Sequence, residues 1–326
     1  MKTSRLLLFI PAILLICSCQ KEVSVETGTD PVLPAANIKD SLTVKSIKQT
    51  QYDQNGEPYT WIDNYRLDTV LNKIKQIETS SYYGPNDSTV SVFSYNNKNQ
   101  IISIEKNGQP AIEFTRDAAG KLLTSTTHYQ NAIVNESTGT FTFGIQGTGF
   151  TVTYLDSTLK FPGNNPGDAR SFYKYTFSPD STVTAYEEFY ISTDGEYKKD
   201  IFNYDNNKNL IAVTTVDSIG NTLYTISYLR DAVKHTSLTS FFKRLGGDLF
   251  WFYQSKQLSI LPYIFNEYDS KFALSAPKKI TYTDKISGSS FSSFNNTYDS
   301  KGNLITTEES DDSGRIISKT EITYNP

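Results

Sequence analysis

Tyr298-Asp299-Ser300-Lys301-Gly302-Asn303-Leu304-Ile305 decides how this 326-residue chain is read. The segment has the chemistry of a strand end, a tight turn and a second strand. An aspartate side chain bonds backbone further on, a glycine supplies positive φ, and an apolar pair resumes an extended run. The same order recurs as Tyr204-Asp205-Asn206-Asn207-Lys208-Asn209-Leu210-Ile211 and as Tyr95-Asn96-Asn97-Lys98-Asn99-Gln100-Ile101-Ile102. Looser copies run from Phe114 to Leu123 and from Asp311 to Ile317. The chain stops at Tyr324-Asn325-Pro326, where one more copy would begin.

Around these copies, extended runs follow one another almost without pause: Leu42 to Tyr52, Lys73 to Tyr83, Thr89 to Tyr95, Gln100 to Glu105 and Lys121 to Tyr129. In Ser46-Ile47-Lys48-Gln49-Thr50 apolar and polar residues partly alternate, the mark of a strand with one buried and one wet face. Turn signals such as Asn55-Gly56, Asn107-Gly108, Asp194-Gly195 and Ser287-Gly288 separate the runs. Their spacing of about 8 to 15 residues predicts roughly eighteen to twenty-two antiparallel strands joined by hairpins. The middle of the chain is richer in aromatics, as in Thr140 to Phe143, Phe150 to Leu155, Phe172 to Phe177 and Tyr186 to Ile191. One short helix is predicted over 237–245, where Leu238, Phe241, Phe242 and Leu245 form one stripe and Gly246-Gly247 ends it. Leu249-Phe250-Trp251-Phe252-Tyr253 follows, apolar on both faces. The expected fold is all-β: a long antiparallel β-meander of repeated hairpins, curled into a barrel-like or half-open shell, with that one helix. Lys45 to Gln54 and Glu196 to Asn209 are too polar on both faces for a lipid-embedded barrel.

The first residues decide location. Lys2 and Arg5 precede the apolar run Leu6 to Ile16, which is too short to span a bilayer as a lasting helix, and Cys17-Ser18-Cys19 follows. Ile16 to Cys19 resembles the lipobox of bacterial lipoproteins, with Cys17 at the middle position usually held by Ala, Ser or Thr. The resemblance implies a signal peptide over 1–18, an acylated Cys19 and a tether over 19–39, broken by Gly28, Pro31 and Pro34. A single β domain is expected over 40–326. The implied place is the outer membrane, on its periplasmic or cell-surface face, with the membrane as a partner through the lipid. Cleavage removes Lys2 and Arg5 from the 31 basic residues and leaves 29 against 35 acidic, a net charge of −6. That balance argues against nucleic acid as a partner. It also leaves Cys19 as the last cysteine, so no disulfide is available and packing must hold the domain.

The copies at Tyr95, Tyr204 and Tyr298 resemble the YD repeat of Rhs-type proteins, whose core is Tyr-Asp-x-x-Gly-(Asn/Arg)-Leu. Only the Tyr298 copy has every core residue; Asn99 and Lys208 stand where the family has Gly. Together with the lipobox, the chain resembles bacterial cell-envelope lipoproteins built as one long β-meander. The resemblance implies a curved antiparallel sheet and brings no catalytic residue with it.

Little in the composition speaks for catalysis. The two histidines, His128 and His235, lie in no nucleophile motif, and a mature chain with one lipidated thiol offers no zinc set. Neither a cofactor nor a metal is expected. Glycosidases need only two carboxylates, so Glu187-Glu188 and Glu308-Glu309 matter, although neighbours on a strand face opposite sides. Asp53-Gln54-Asn55-Gly56-Glu57 is rich in oxygen ligands but is equally a hairpin turn. Trp61, Trp251 and Tyr253 are the aromatic candidates for stacking on a ligand. The expected function is therefore a membrane-anchored envelope lipoprotein with a non-enzymatic binding or structural role, its ligand a glycan or an apolar molecule. The alternative is a glycoside hydrolase-type enzyme with a carboxylate pair in the concave face.

Overall fold

The computed structural model describes residues 44–68, 73–80, 88–131, 134–156, 170–179, 182–191, 197–206, 209–234 and 275–325. They form eighteen strands. The first six are β1 (Val44–Tyr52), β2 (Pro58–Asp68), β3 (Lys73–Ser80), β4 (Thr89–Tyr95), β5 (Ile101–Lys106) and β6 (Gln109–Arg116). Next come β7 (Leu122–Asn131), β8 (Val134–Gln146), β9 (Gly149–Asp156), β10 (Arg170–Phe177), β11 (Val183–Ile191) and β12 (Tyr197–Tyr204). The last are β13 (Leu210–Val216), β14 (Thr222–Lys234), β15 (Ser275–Asp284), β16 (Gly288–Tyr298), β17 (Leu304–Ser310) and β18 (Ile316–Tyr324). The helix expected over 237–245 lies outside the described residues, as do the signal peptide, Cys19 and the tether.

Each strand pairs antiparallel with its neighbour in sequence, and β1 also pairs with β18 from Val44↔Tyr324 to Gln51↔Ser318. The meander is thus a closed barrel, and the half-open alternative is corrected. The reason is local. An open shell would leave the backbone groups of β1 and β18 unpaired along two edges, whereas here the two strands fit each other in register.

Turns alternate between the two rims, so the copies at Tyr95, Phe114, Tyr204 and Tyr298 fall at one rim, here called the Tyr rim, and the looser copy at Asp311 falls at the other. In the Tyr298 copy, Asp299 Oδ1 accepts from the backbone N–H of Lys301 and of Asn303, both at 2.8 Å. Gly302 lies at φ 82° and its N–H donates to Asp299 O at 3.0 Å. The Tyr95 copy keeps this geometry with Asn99 at φ 60° in the glycine's place, a region Asn tolerates better than most residues.

After each such turn the register shifts: Tyr298 faces Leu304, then Thr297 faces Thr306. The bulge places one extra residue on the odd strand. Inward positions there follow i, i+3 rather than i, i+2: Ile74 and Ile77, Ile101 and Ile104, Leu210 and Val213, all buried. Val44 and Ile47 at the start of β1 repeat the pattern, with the same shift against Tyr324 of β18. The copy begun by Tyr324 is completed by Val44, so one repeat unit is split between the two ends of the barrel, and joining its halves closes the ring.

The copies are also clamped together. Tyr95 Oη donates to Ile74 O at 2.5 Å, Tyr204 Oη to Val183 O at 2.8 Å, and Tyr324 Oη to Leu304 O at 2.8 Å. Arg116 Nη2 reaches Ile101 O at 3.3 Å and Arg230 Nε reaches Leu210 O at 2.8 Å. Each acceptor belongs to the buried apolar residue that opens the preceding odd strand. Leaving such a carbonyl unpaired in the core would cost about 1–3 kcal/mol.

Every strand contributes to one continuous buried cluster. The register places its members on a single face of the closed sheet, which is the inner face. The outer face carries charge. Lys48 meets Glu321 at 2.9 Å, Glu187 lies 3.5 Å from Lys174 and 3.7 Å from Lys199, and Lys319 meets Glu308 at 3.3 Å. A membrane barrel needs an outward apolar band. The described outer wall carries these charged pairs together with scattered exposed apolar side chains such as Ile102, Ile211 and Leu229.

Candidate functional site

Side chains on the inner face form layers, counted from the Tyr rim by cross-strand pairs. The first contains the turn pairs, such as Tyr95 with Ile101, Tyr204 with Leu210 and Tyr298 with Leu304. The second is largely aromatic against aliphatic: Tyr65 with Ile77, Phe93 with Ile104, Phe202 with Val213. Exposure of these residues is 0–5% apart from the half-buried tyrosines of the turns, so these two layers are shielded from solvent.

The third layer is different. Here Asp63 faces Thr79, Ser91 faces Lys106, Tyr173 faces Glu188, Asp200 faces Thr215, Phe294 faces Glu309, and Gln49 faces Thr320. Four carboxylates and a lysine thus point inward at one level, just above an apolar floor. Thr79 Oγ1 donates to Asp63 Oδ1 at 2.6 Å, and Thr215 Oγ1 donates to Asp200 Oδ1 at 2.5 Å. The two aspartates occupy equivalent places in two copies, each with a threonine five residues after the buried apolar residue. Burial raises the Asp63 pKa from 3.8 to about 6, partly opposed by the Thr79 hydroxyl, and burial lowers that of Lys106. Removing a charge from water disfavours the charged form of each. Ser318 Oγ donates to Glu309 at 3.0 Å, and Tyr186 Oη donates to Glu188 at 3.4 Å.

From β8 to β11 the inner wall is aromatic. Tyr154 packs on Phe141 at 4.8 Å and stacks on Tyr173 at 6.0 Å, and Phe150 stacks on Phe177 at 4.6 Å. A Cβ at Gly139 would stand 1.9 Å from the Tyr154 ring, so the glycine makes room for it. The aromatic middle of the sequence is therefore core, on the side of the ring away from the β1–β18 seam by strand count.

Of the candidates named from sequence, Trp61 stands on the inner face of β2, one inward position beyond Asp63. Its Nε1 donates to Gln49 Oε1 at 2.8 Å across the β1–β2 pair. Trp251, Tyr253, Cys19 and His235 lie outside the described residues. His128 is on the outer face of β7, its Nε2 3.6 Å from Glu113. The acidic pairs divide as strand geometry requires: Glu187 and Glu308 face outward to lysines, Glu188 and Glu309 inward. Asp53 spends its carboxylate on its own turn, accepting from Asn55 N and Glu57 N at 2.8 Å. Among the described residues no cluster of His, Cys, Asp and Glu could hold a metal ion. Sequence reasoning missed Gln49, Asp63, Lys106 and Asp200. The signal was there: each is polar at an inward phase of its strand.

No protein-family model matches the chain, and no curated protein matches it. Among solved structures it is similar to a porin-like protein from Bacteroides uniformis, at 10% identity and TM-score 0.43, over 86% of this chain and 98% of that one. A porin-like protein from Bacteroides vulgatus is similar at 13% identity and TM-score 0.33, over 87% of this chain and 99% of that one. The TcdB2-TccC3 structure without its hypervariable C-terminal region is similar at 11% identity and TM-score 0.23, over 82% of this chain but 16% of that one. At these values the likenesses assign neither family nor function.

Proposed function

We propose that the protein is a lipid-anchored lipoprotein of the cell envelope whose barrel binds a hydroxyl-rich ligand, a glycan, without transforming it. The observation that carries this is the third inner layer, where carboxylates, a lysine, threonines and an amide lie next to buried apolar layers and beside Trp61. Such groups recognise sugar hydroxyls, and an indole face stacks on the apolar face of a sugar ring. The same polarity disfavours the apolar ligand considered from sequence. The charged outer wall means that the barrel needs an anchor to stay at a membrane, and the lipobox ending at Cys19 supplies one.

An array of neutral and acidic glycans probed with the mature protein tests the binding. Retention of a glycan class, lost on Trp61→Ala with the urea midpoint unchanged, is the expected result; no retention on any glycan contradicts the reading. Anchoring is tested by mass spectrometry of the N-terminus with and without globomycin. A diacylated Cys19 is expected, and an unmodified N-terminus elsewhere would refute it.

A second reading rests on Glu188 and Asp200. Tyr186 faces Asp200 and Glu188 faces Lys198, so the two carboxylates are diagonal neighbours on β11 and β12. Diagonal positions on paired strands are about 7–8 Å apart, a backbone spacing that lets the carboxyl groups reach the roughly 5–9.5 Å range of glycosidase pairs. Hydrolysis of chromogenic glycosides, abolished by both Glu188→Gln and Asp200→Asn, would favour this enzyme reading over pure binding.

A further inference from the structure

We propose that Asn296 and Thr307 form a niche in the barrel wall that binds a hydroxyl group, supplied by water or by a hydroxyl-bearing ligand. The two residues face each other directly on β16 and β17, in the copy with the most complete turn motif. Most equivalent second-layer pairs are hydrocarbon or aromatic, such as Tyr65 with Ile77, Phe93 with Ile104 and Phe202 with Val213, and where a hydroxyl occurs, at Ser125 opposite Phe114, it bonds the Tyr154 hydroxyl at 3.3 Å. The fold therefore accepts apolar residues at this position and does not require amide and hydroxyl groups. Asn296 is also several atoms smaller than the aromatic residues that precede those other turns.

The polar atoms are buried and incomplete. Thr307 is 3% exposed, and neither its Oγ1 nor Asn296 Oδ1 has a hydrogen-bond partner among the described residues. Asn296 cannot solve this by turning over. Its Nδ2 donates to Pro277 O at 2.8 Å, and a flip would set two oxygens against each other. What remains is an acceptor, Asn296 Oδ1, beside a hydroxyl that both donates and accepts. A group completing both must donate to the amide oxygen while exchanging a hydrogen bond with Thr307. A hydroxyl does this; a carbonyl or carboxylate has no proton to give. Buried polar groups left without partners oppose folding, and an internal water or ligand hydroxyl removes that penalty. From Thr307 the cross-strand row continues through Thr320 and Gln49 to Trp61. The niche thus lies in one row with the proposed binding aromatic, and only its ligand source rests on the glycan reading.

The test is a crystal structure of the mature chain, at a resolution that shows waters, grown without polyol and then soaked in xylitol. The expected result is an oxygen within about 2.6–3.2 Å of both Asn296 Oδ1 and Thr307 Oγ1. If that oxygen stays an isolated water after the soak, the hydroxyl comes from solvent, and the niche stands whatever the glycan array shows. If a xylitol hydroxyl replaces it, the niche belongs to the ligand site. An empty niche in both crystals, or Thr307 Oγ1 bonded directly to Asn296 Oδ1, overturns the proposal. The double variant Asn296→Leu, Thr307→Val should lack the oxygen, and its retention there would equally overturn the assignment.

Discussion

Replacing Asp63 by asparagine should stabilise the barrel at neutral pH and do little in acid. Asp63 is 5% exposed on the inner face, and burial raises its pKa from 3.8 to about 6. The folded state therefore holds the proton more tightly than the unfolded chain does. Between the two values the native state binds more protons, so stability falls as pH rises. The favourable contribution is complete below about pH 3.8 and lost as pH passes about 6. A gap of about 2 units corresponds to roughly 3 kcal/mol at about 1.4 kcal/mol per unit. Asparagine keeps an oxygen for the Thr79 hydroxyl and removes the titration. Urea melts at pH 4, 5, 6 and 7.5 should show Asp63→Asn within about 0.5 kcal/mol of wild type in acid and more stable by about 1–3 kcal/mol at pH 7.5. Taking the difference between the two proteins cancels the other groups that titrate in this window. A variant less stable than wild type at pH 7.5, or offset by the same amount at every pH, would show that the carboxylate is compensated where it sits and that the third layer is not desolvated there.

The remaining predictions concern the frame. Tyr95→Phe, Tyr204→Phe and Tyr324→Phe remove the same bond to a core carbonyl and should each cost about 1–3 kcal/mol in urea; a neutral Tyr324→Phe beside two costly partners would show that the terminal clamp is idle. Gly302→Val should cost on the order of 1–2 kcal/mol or more at its positive φ, while Ser300→Ala should be nearly silent; equal effects would contradict the turn geometry. Asn99→Gly should be neutral or stabilising, by at most about 1 kcal/mol, because glycine accepts that φ at no steric cost; a clear loss of stability would mean that the asparagine side chain is needed.

Much of the architecture was legible because the turn chemistry is local. Asp299, Gly302 and Leu304 each have one job within a few residues, and the sequence repeats those jobs. Closure was harder to read, since Val44 and Tyr324 look like ordinary ends until the register sets them opposite each other. The inner polar layer was hidden by the bulges. After Leu210 or Ile74 the inward phase slips by one residue, so a period-two reading puts Thr79, Thr215 and Glu309 on the wrong face. Trp61 was named from the sequence because tryptophan is conspicuous. Asp63 and Asp200 were not, because an aspartate inside a strand reads as solvated until its neighbours across the sheet are known.

Closure of the ring is the claim on which the rest depends, because Gln49, Trp61, Thr307 and Thr320 form one row only if β1 and β18 are paired. A chain beginning at Gln20 has no cysteine, so Lys48→Cys with Glu321→Cys introduces a lone pair of thiols. These positions are directly opposite in the β1–β18 pairing, within the Cα separation of about 4.4–6.8 Å that a disulfide spans. Mild oxidation followed by non-reducing electrophoresis and peptide mass spectrometry should show an intramolecular bond in monomeric protein whose far-UV spectrum is unchanged. Thiols that stay free, or that cross-link only between molecules, would contradict a barrel closed by its own two ends.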